Sequence, residues 1–234
     1  MRNKIIGILG GMGPESTVDL FQKMIKATPI KKEQDHLRII IDNNPQIPDR
    51  TEAILGLGES PLNELIKTAQ NLEKAGAEII AIPCNTAHHY YKEVKDSVNV
   101  QVLNMIEETV KFIKKENPLI KKIALLSTTG TLKAKVYHKM LSDFEVLIPD
   151  DEAQERLMEA IYGKEGIKAG YVDEKSQKKV LAVAKPLLDQ GAEALIAGCT
   201  EISLVLRQED LPISFIEPLA VLAQAAVKQA LVSQ

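Results

Sequence analysis

The chain of 234 residues contains no tryptophan, and aromatic residues make up only 4% of it. With a formal net charge of -3, it has neither the basic surface nor the stacking platforms typical of nucleic-acid-binding proteins. The apolar run nearest the N-terminus, residues 5–9, is too short for a membrane span or a signal-peptide core. We therefore expect a cytoplasmic protein that binds neither nucleic acid nor membrane.

Cysteine is equally scarce, because only Cys84 and Cys199 are present. Two cysteines do not make a disulfide framework, and a reducing cytosol would keep both as thiols. Neither has a second cysteine or a histidine at a zinc-ligand spacing, so no metal is predicted. No lysine stands in a recognisable Schiff-base context, so no pyridoxal cofactor is predicted either.

Short apolar runs alternate along the chain with longer amphipathic stretches, which is typical of an α/β protein with parallel strands. The predicted strands are Lys4–Leu9, Leu37–Ile41, Ile79–Ile82, Val100–Leu103, Ile123–Leu126, Glu145–Ile148, Ala194–Ala197 and Ile213–Ile216. The predicted helices are Ser16–Ala27, Pro61–Ala75, Asn104–Lys115, Lys133–Phe144, Asp151–Tyr162, Asp173–Gln190 and Leu219–Val232.

The sequence also resembles itself. "KAGAEIIAIPCNT" (Lys74–Thr86) matches "DQGAEALIAGCTE" (Asp189–Glu201), and "KIIGILGGMG" (Lys4–Gly13) matches "KIALLSTTG" (Lys122–Gly130). Both matches have nearly the same offset, about half the chain, which indicates a duplicated lobe. We expect a first lobe of residues 1–103 plus 215–234 and a second lobe of residues 104–214.

The duplication places the two thiols at equivalent positions in the two lobes, just past the carboxyl end of a parallel strand, where open α/β sheets bind ligands. A lone free cysteine often packs as a small apolar residue, which is the alternative for either thiol. The polar neighbours Asn85-Thr86 and Thr200-Glu201, next to a predicted helix start, favour function instead. Two thiols on opposite walls of a cleft suit racemisation, which needs a base on one face of a carbon and a proton donor on the other.

Two further segments carry candidate binding groups. "ILGGMGPES" (Ile8–Ser16) lacks the third glycine of a dinucleotide fingerprint and the Lys-Ser/Thr of a P-loop, so it is either a tight turn or a backbone cradle for a small carboxylate. "DNNPQIPDRT" (Asp42–Thr51) is interpreted as a loop. Its Arg50 either forms a surface salt bridge with Asp49 or binds a substrate carboxylate as a fork. Lys168, among loop glycines, is either solvated or a mobile cationic gate.

Four short motifs, in this order, carry a resemblance to a known family: "GGMGP", "NNPQIPDRT", "PCNTAH" and "GCTE". Together they extend from residue 10 to residue 201, and the chain resembles the cofactor-independent aspartate/glutamate racemases, in particular the aspartate racemase branch. The resemblance implies two pseudo-symmetric lobes with four-stranded parallel sheets, a cleft between them, no cofactor, a small-molecule amino acid substrate and a homodimer.

The resemblance also implies roles for particular residues. The catalytic acid/base pair is Cys84 and Cys199. Substrate contacts are implied for Met12, Arg50, Thr51, Asn85, Thr86, Thr200 and Glu201, and the "KAG" element gives Lys168 the distal carboxylate.

The substrate is the least constrained part of this prediction. Glutamate racemases have an acidic residue in the first glycine turn and a histidine after the second "GCT", whereas this chain has Met12 and Glu201 there, which favours aspartate. The alternatives are a glutamate or broad-specificity racemase, a related cysteine-dependent decarboxylase or maleate isomerase, and a two-lobed protein of the periplasmic binding type.

Overall fold

A computed structural model describes residues 2–231 of the chain. It contains two four-stranded parallel sheets with the strand orders β2-β1-β3-β4 and β6-β5-β7-β8. The strands are β1 Ile6–Gly10, β2 Ile39–Asn43, β3 Ile79–Ala81, β4 Gln101–Val102, β5 Lys122–Ser127, β6 Glu145–Leu147, β7 Ala194–Gly198 and β8 Ser214–Ile216. The predicted α/β fold with two four-stranded parallel sheets is confirmed, and the second half of the chain repeats the strand order of the first.

Helices flank both sheets. They are α1 Pro14–Ala27, α2 Arg50–Leu55, α3 Leu62–Lys74, α4 Tyr91–Asp96, α5 Met105–Glu116, α6 Thr129–Lys133, α7 Asp151–Tyr162, α8 Glu174–Asp189, α9 Ile202–Val205 and α10 Pro218–Ala230. Pro14 and Pro218 stand at the start of their helices, where a missing N–H costs nothing. Of the predicted helix Leu219–Val232, Val232 lies outside the described residues.

The core has a layer on each face of each sheet, because the strands are apolar on both sides. Along β5, Ile123 and Leu125 pack into one layer with α5, while Ala124 and Leu126 pack into another with α7 and α8. This alternation is the period of two that side chains follow along a strand. Helix α10 packs with Ile6 and Ile8 of β1, so the last described helix lies against the first sheet.

One predicted helix, Lys133–Phe144, is wrong. Helix α6 begins instead at Thr129, because the Thr128 hydroxyl accepts from the N–H of Thr131, and it ends at Lys133. Lys135 has a φ of 53°, a left-handed conformation that interrupts a helix. The turns that follow bury Tyr137 completely, and its hydroxyl contacts the first lobe.

The predicted loop Asp42–Thr51 is also corrected. Strand β2 continues to Asn43, and α2 begins at Arg50 because the Asp49 carboxylate accepts from the N–H groups of Thr51 and Glu52, at 2.8 and 2.9 Å. Arg50 is therefore the first residue of a helix. The sequence Asp-x-x-Glu is itself a helix-start signal, so this boundary was readable.

The glycine turn after β1 needs a residue without a side chain at Gly11. Its φ is +97°, and an added Cβ would lie 2.3 Å from the backbone carbonyl of Asn44. We expect Gly11→Ala to lower the free energy of unfolding by more than about 2 kcal/mol, because backbone strain and overlap add. Gly56→Ala is the control: φ is +74° there but nothing lies within 4 Å. If urea unfolding shows the same loss of free energy of unfolding in both variants, steric overlap at Gly11 is not the cause.

Candidate active site

The two cysteines lie at equivalent strand ends of the two lobes. Cys199 follows β7 directly and Cys84 follows β3 after two residues, and the two side chains are 5% and 6% exposed. Both line one small cavity of about 10 Å³. It is also lined by Met12, Arg50, Asn85, Thr86, Thr128, Tyr162, Lys168, Thr200 and Glu201. The structure thus brings nine of the ten sequence-predicted site residues to one cavity.

Thr51 is the tenth, and it lies one layer behind. Its hydroxyl donates to Thr128 at 3.3 Å, and Thr128 bonds to Thr86 at 3.0 Å. Thr131 bonds to Thr86 and Thr128 at 2.8 and 3.1 Å. Two of these threonines come from each lobe and all four are buried, so their hydroxyls connect the lobes beneath the cavity.

A cavity of about 10 Å³ has room for about one water, so the structure represents a closed site. A larger pocket of about 340 Å³ adjoins it and shares Arg50, Lys168 and Glu201 with it. The N-terminus of α1 and the loop before α2 form its other wall, through residues such as Pro14 and Pro45. These three charged side chains therefore face both the cavity and the larger pocket.

Arg50 is buried at the Cys84 side of the cavity. Its Nη1 donates to the carbonyls of Ile47 and Pro48 at 3.1 and 3.0 Å, while its buried Nε has no partner. Burial lowers the pKa of Arg50, but neighbouring Cys84 and Asp49 outweigh it and the pKa is raised. Arg50 Nη2 lies 4.0 Å from Asp49 Oδ2, and the Asp49 carboxylate is already engaged as the N-cap of α2. Arg50 is therefore a buried cation beside a thiol and does not form a surface salt bridge.

Lys168 and Glu201 form an ion pair beside Cys199, in which Glu201 is buried and Lys168 is partly exposed. Lys168 Nζ lies 2.8 Å from Glu201 Oε1 and 5.2 Å from the centre of the Tyr162 ring. Burial opposes the charge of Lys168, but Glu201 and the thiols outweigh it and raise its pKa. Two cations, Arg50 and Lys168, thus line the cavity, and each can bind a carboxylate.

Asn85 and Tyr162 complete the walls. The Tyr137 hydroxyl donates to Asn85 Oδ1 at 2.6 Å, which leaves the buried Nδ2 of Asn85 as an unpartnered donor. The Tyr162 hydroxyl donates to Asp49 at 3.1 Å across the lobes. Burial raises the pKa of Tyr162 well above its ordinary value, so this hydroxyl is neutral.

Sequence reasoning missed Thr128, Tyr137 and Tyr162. Thr128 could have been found, because the internal repeat aligns it with Gly11 of the first glycine turn. Tyr137 fell within the wrongly predicted helix. Tyr162 ends α7 without any local signal, since only the folded chain brings it to Asp49.

His88 fixes the backbone behind Cys84. Its Nδ1 lies 2.8 Å from the carbonyl of Cys84, and its Nε2 accepts from the N–H of Met105 at 3.0 Å. The imidazole is therefore neutral, with its proton on Nδ1. Burial disfavours the cation and lowers the pKa of His88 to about 4 from an ordinary 6.5.

This buried histidine predicts a loss of stability in mild acid. The unfolded chain binds a proton at His88 below pH 6.5, whereas the folded chain does so only near 4, so stability is full above 6.5 and falls between these values. We expect a loss of about 3 kcal/mol over that interval. Urea unfolding of His88→Gln should lack this component, and the exposed His89→Gln should keep it. Equal pH slopes for all three proteins would contradict the assignment.

No helix in the described part, residues 2–231, is long and apolar enough to span a membrane. Within the same residues, no group of three or more His, Cys, Asp or Glu side chains is arranged to hold a metal ion.

Comparison with known proteins gives consistent results. The model of the Asp/Glu/hydantoin racemase family matches residues 9–226. A broad-specificity amino-acid racemase of Bacillus subtilis is 31% identical, and the match covers 98% of this chain and 100% of the relative. A glutamate racemase of Aquifex pyrophilus is 30% identical over 61% of this chain and 54% of its own length.

Solved structures agree in fold. The aspartate racemase of Picrophilus torridus superposes with a TM-score of 0.86 at 33% identity, covering 97% of this chain and 94% of that one. An aspartate racemase homologue from Pyrococcus horikoshii has a TM-score of 0.75 at 29% identity, covering 97% and 99%. A glutamate racemase of Francisella tularensis, at 18% identity, covers 97% and 81% with a TM-score of 0.69, and shares the fold.

Proposed function

Because the chain belongs to the Asp/Glu/hydantoin racemase family, and is thus an isomerase acting on amino acids, we propose that it interconverts L- and D-aspartate without a cofactor. The observation that carries the proposal is a single cavity with one thiol from each lobe and one cation beside each thiol. The match to the Picrophilus torridus aspartate racemase supports the same substrate.

In the proposed mechanism, a thiolate removes the α-proton while the opposite thiol delivers a proton to the other face. One face of the carbon needs a base and the other an acid, and reversal exchanges the two roles. Two thiols meet this requirement because the same group serves as base when ionised and as acid when protonated. Cys84 and Cys199 are the pair we assign to these roles.

The remaining side chains hold the substrate. We assign one carboxylate to Arg50, whose buried Nε has no protein partner, and the distal carboxylate to Lys168. The free amide N–H group of Asn85 is a neutral donor placed to stabilise negative charge that develops on the substrate. Met12 and Thr200 line the remaining wall, and Thr86, tied to Thr128 and Thr131, supports the residues after Cys84.

A broad-specificity racemase is the second candidate, favoured by the Bacillus subtilis relative. The two candidates differ at Lys168, because only an acidic side chain benefits from this cation. For an aspartate racemase we expect kcat/KM to be at least about a hundredfold higher for aspartate than for alanine or serine, since a neutral side chain makes no charge-assisted contact with Lys168.

The test is a panel of L- and D-amino acids, assayed by chiral separation of the products without added cofactor. Aryl malonates and maleate belong in the same panel, because turnover of either would indicate a related decarboxylase or isomerase. Tight binding of aspartate with no exchange of its α-proton would instead indicate a binding protein and contradict the proposal. Similar racemisation rates for neutral and acidic amino acids would indicate a broad-specificity racemase instead of an aspartate racemase.

We also propose that the enzyme is a cytoplasmic homodimer. Two unpaired thiols, both needed in the reduced form, suit a reducing compartment. Light scattering of the purified chain tests the dimer, and a monomeric mass at micromolar concentration would contradict it.

A further inference from the structure

The carboxylate of Glu201 is the meeting point of several protein donors. It is 3% exposed, and its Oε1 accepts from Lys168 Nζ at 2.8 Å. Its Oε2 accepts from Cys199 Sγ at 2.9 Å and from the Thr200 hydroxyl at 3.2 Å. The Thr200 hydroxyl in turn accepts from Ser16 at 2.8 Å, which fixes the carboxylate from the other lobe. Glu201 is therefore held against Cys199 by groups on several sides.

The two thiols thus differ in their charged neighbours, because a carboxylate contacts Cys199 in addition to the nearby cation. Arg50 and Cys84 line the same cavity, and a negative charge on Cys84, together with Asp49, raises the pKa of Arg50 against the effect of burial. Cys199 instead places its sulfur against a carboxylate oxygen. A thiolate at Cys199 would bring two negative charges together with no proton between them, whereas a thiolate at Cys84 faces a cation.

The other ionisable groups near Cys199 do not reverse this difference. Tyr137 and Tyr162 are neutral because burial raises the pKa of both hydroxyls. Lys168 favours a thiolate, but its ammonium group contacts the same carboxylate. Burial first, and then the charge of Glu201, raise the pKa of Cys199 well above its ordinary value of 9.0.

We propose that Glu201 is a positioning residue that keeps the proton on Cys199 in the resting enzyme, so that Cys84 is the thiolate that begins the reaction. The inference rests on the proposed racemase function, in which the two thiols exchange a proton with the substrate. It adds to that mechanism which thiol acts first as the base, because the two thiols occupy equivalent positions in the fold but differ in their charged neighbours.

The same arrangement resets the enzyme after each reaction that begins at Cys84. Cys84 then holds the proton taken from the substrate, and Cys199 has given its own proton away. The Cys199 thiolate faces Glu201 and is the less stable form, so Cys199 takes up a proton from solvent and Cys84 releases one to solvent after the product has left. Enantiomers have equal free energies, so kcat/KM stays equal in the two directions, and the asymmetry affects kcat and KM separately.

The experiment measures iodoacetamide alkylation of each cysteine against pH, resolved by peptide mass spectrometry. The pH midpoint reports ionisation independently of how accessible each thiol is. In the wild-type protein we expect Cys199 to react with a midpoint above 9.0 and at higher pH than Cys84. Glu201→Gln should move the Cys199 midpoint down by at least about one pH unit, about a tenfold gain in rate below the midpoint.

Two variants separate an electrostatic role from loosened packing. Lys168→Met removes a cation and should slow alkylation of Cys199 at pH 9, opposite to Glu201→Gln, whereas loosened packing would speed both. Glu209→Gln, an exposed carboxylate-to-amide change, should leave both midpoints unchanged. If Glu201→Gln does not fold, the sign of the Lys168→Met effect still decides, because an unchanged or faster rate overturns the proposal.

The proposal is overturned by a Cys199 midpoint that is the same in wild type and Glu201→Gln, or by a wild-type Cys199 that is alkylated at lower pH than Cys84. Alkylation needs no substrate, so this result is independent of the amino acid turned over. Lack of aspartate racemisation would overturn the proposed function while leaving the alkylation result intact.

Discussion

Cys84→Ala and Cys199→Ala each lose racemisation by about three orders of magnitude in kcat, in both directions. The expectation follows from the cavity, which presents one sulfur from each lobe and no other group able to act as both acid and base at neutral pH on either side. Removing one sulfur leaves one face of the α-carbon without a proton donor or a base. Because the two thiols act as a unit, the double variant should be no slower than the single variants.

The control for these variants is Ser203→Ala. Ser203 lies four residues after Cys199, is 2% exposed, and has a hydroxyl with no hydrogen-bond partner among the described residues. It does not line the cavity. Its replacement should keep kcat within about twofold, since it removes a buried polar atom without touching substrate. A Cys84→Ala protein with unchanged turnover in both directions would refute the two-thiol mechanism.

Arg50→Met lowers kcat/KM for aspartate by at least about a hundredfold. A buried guanidinium that binds a carboxylate through two N–H groups supplies a charge-assisted contact that a thioether cannot replace. Arg50→Lys should recover little of the loss, because an ammonium group cannot contact the carbonyls of Ile47 and Pro48 and a substrate carboxylate in the same planar arrangement. Initial rates over a range of aspartate concentrations give the measurement.

Arg207→Met is the matched control for Arg50. The Nη1 of Arg207 also donates to two backbone carbonyls, those of Ser203 and Leu206, but Arg207 does not line the cavity. Its loss should lower stability without changing kcat/KM. If the two variants reduce kcat/KM equally, the effect of Arg50 is structural, and its assignment as the carboxylate anchor is wrong.

The sequence predicted most of the fold because burial on both sheet faces leaves a strong pattern. The run Ile123–Leu126 is apolar at every position, and its four side chains alternate between two core layers. The helix boundaries at Asp151 and Tyr162 were also correct, since Asp150 is a favourable N-cap. The predicted helix boundaries were wrong where a tertiary contact determines the local structure. Tyr137 is an example, because it is buried in a turn where the apolar pattern predicted a helix.

The site was predictable to the extent that the duplication gives two thiols the same place in each lobe. The charge difference between Cys84 and Cys199 was only partly predictable. Glu201 stands two residues after Cys199, whereas the two cations come from distant parts of the chain. Lys168 reaches Glu201 from the loop after α7, and Arg50 reaches Cys84 from the start of α2. Each of these contacts joins segments of one lobe that are far apart in the chain, so it exists only once that lobe has folded.

The most direct test of the central claim, that sulfurs of the two lobes act on opposite faces of one α-carbon, is racemisation of L-aspartate in heavy water, followed by NMR after chiral separation. The account predicts that, early in the reaction, the D-aspartate formed carries solvent deuterium at the α-carbon while the remaining L-aspartate carries none. Deuterium that appears in the remaining L-aspartate as fast as in the product would show a single base acting on one face and would contradict the account.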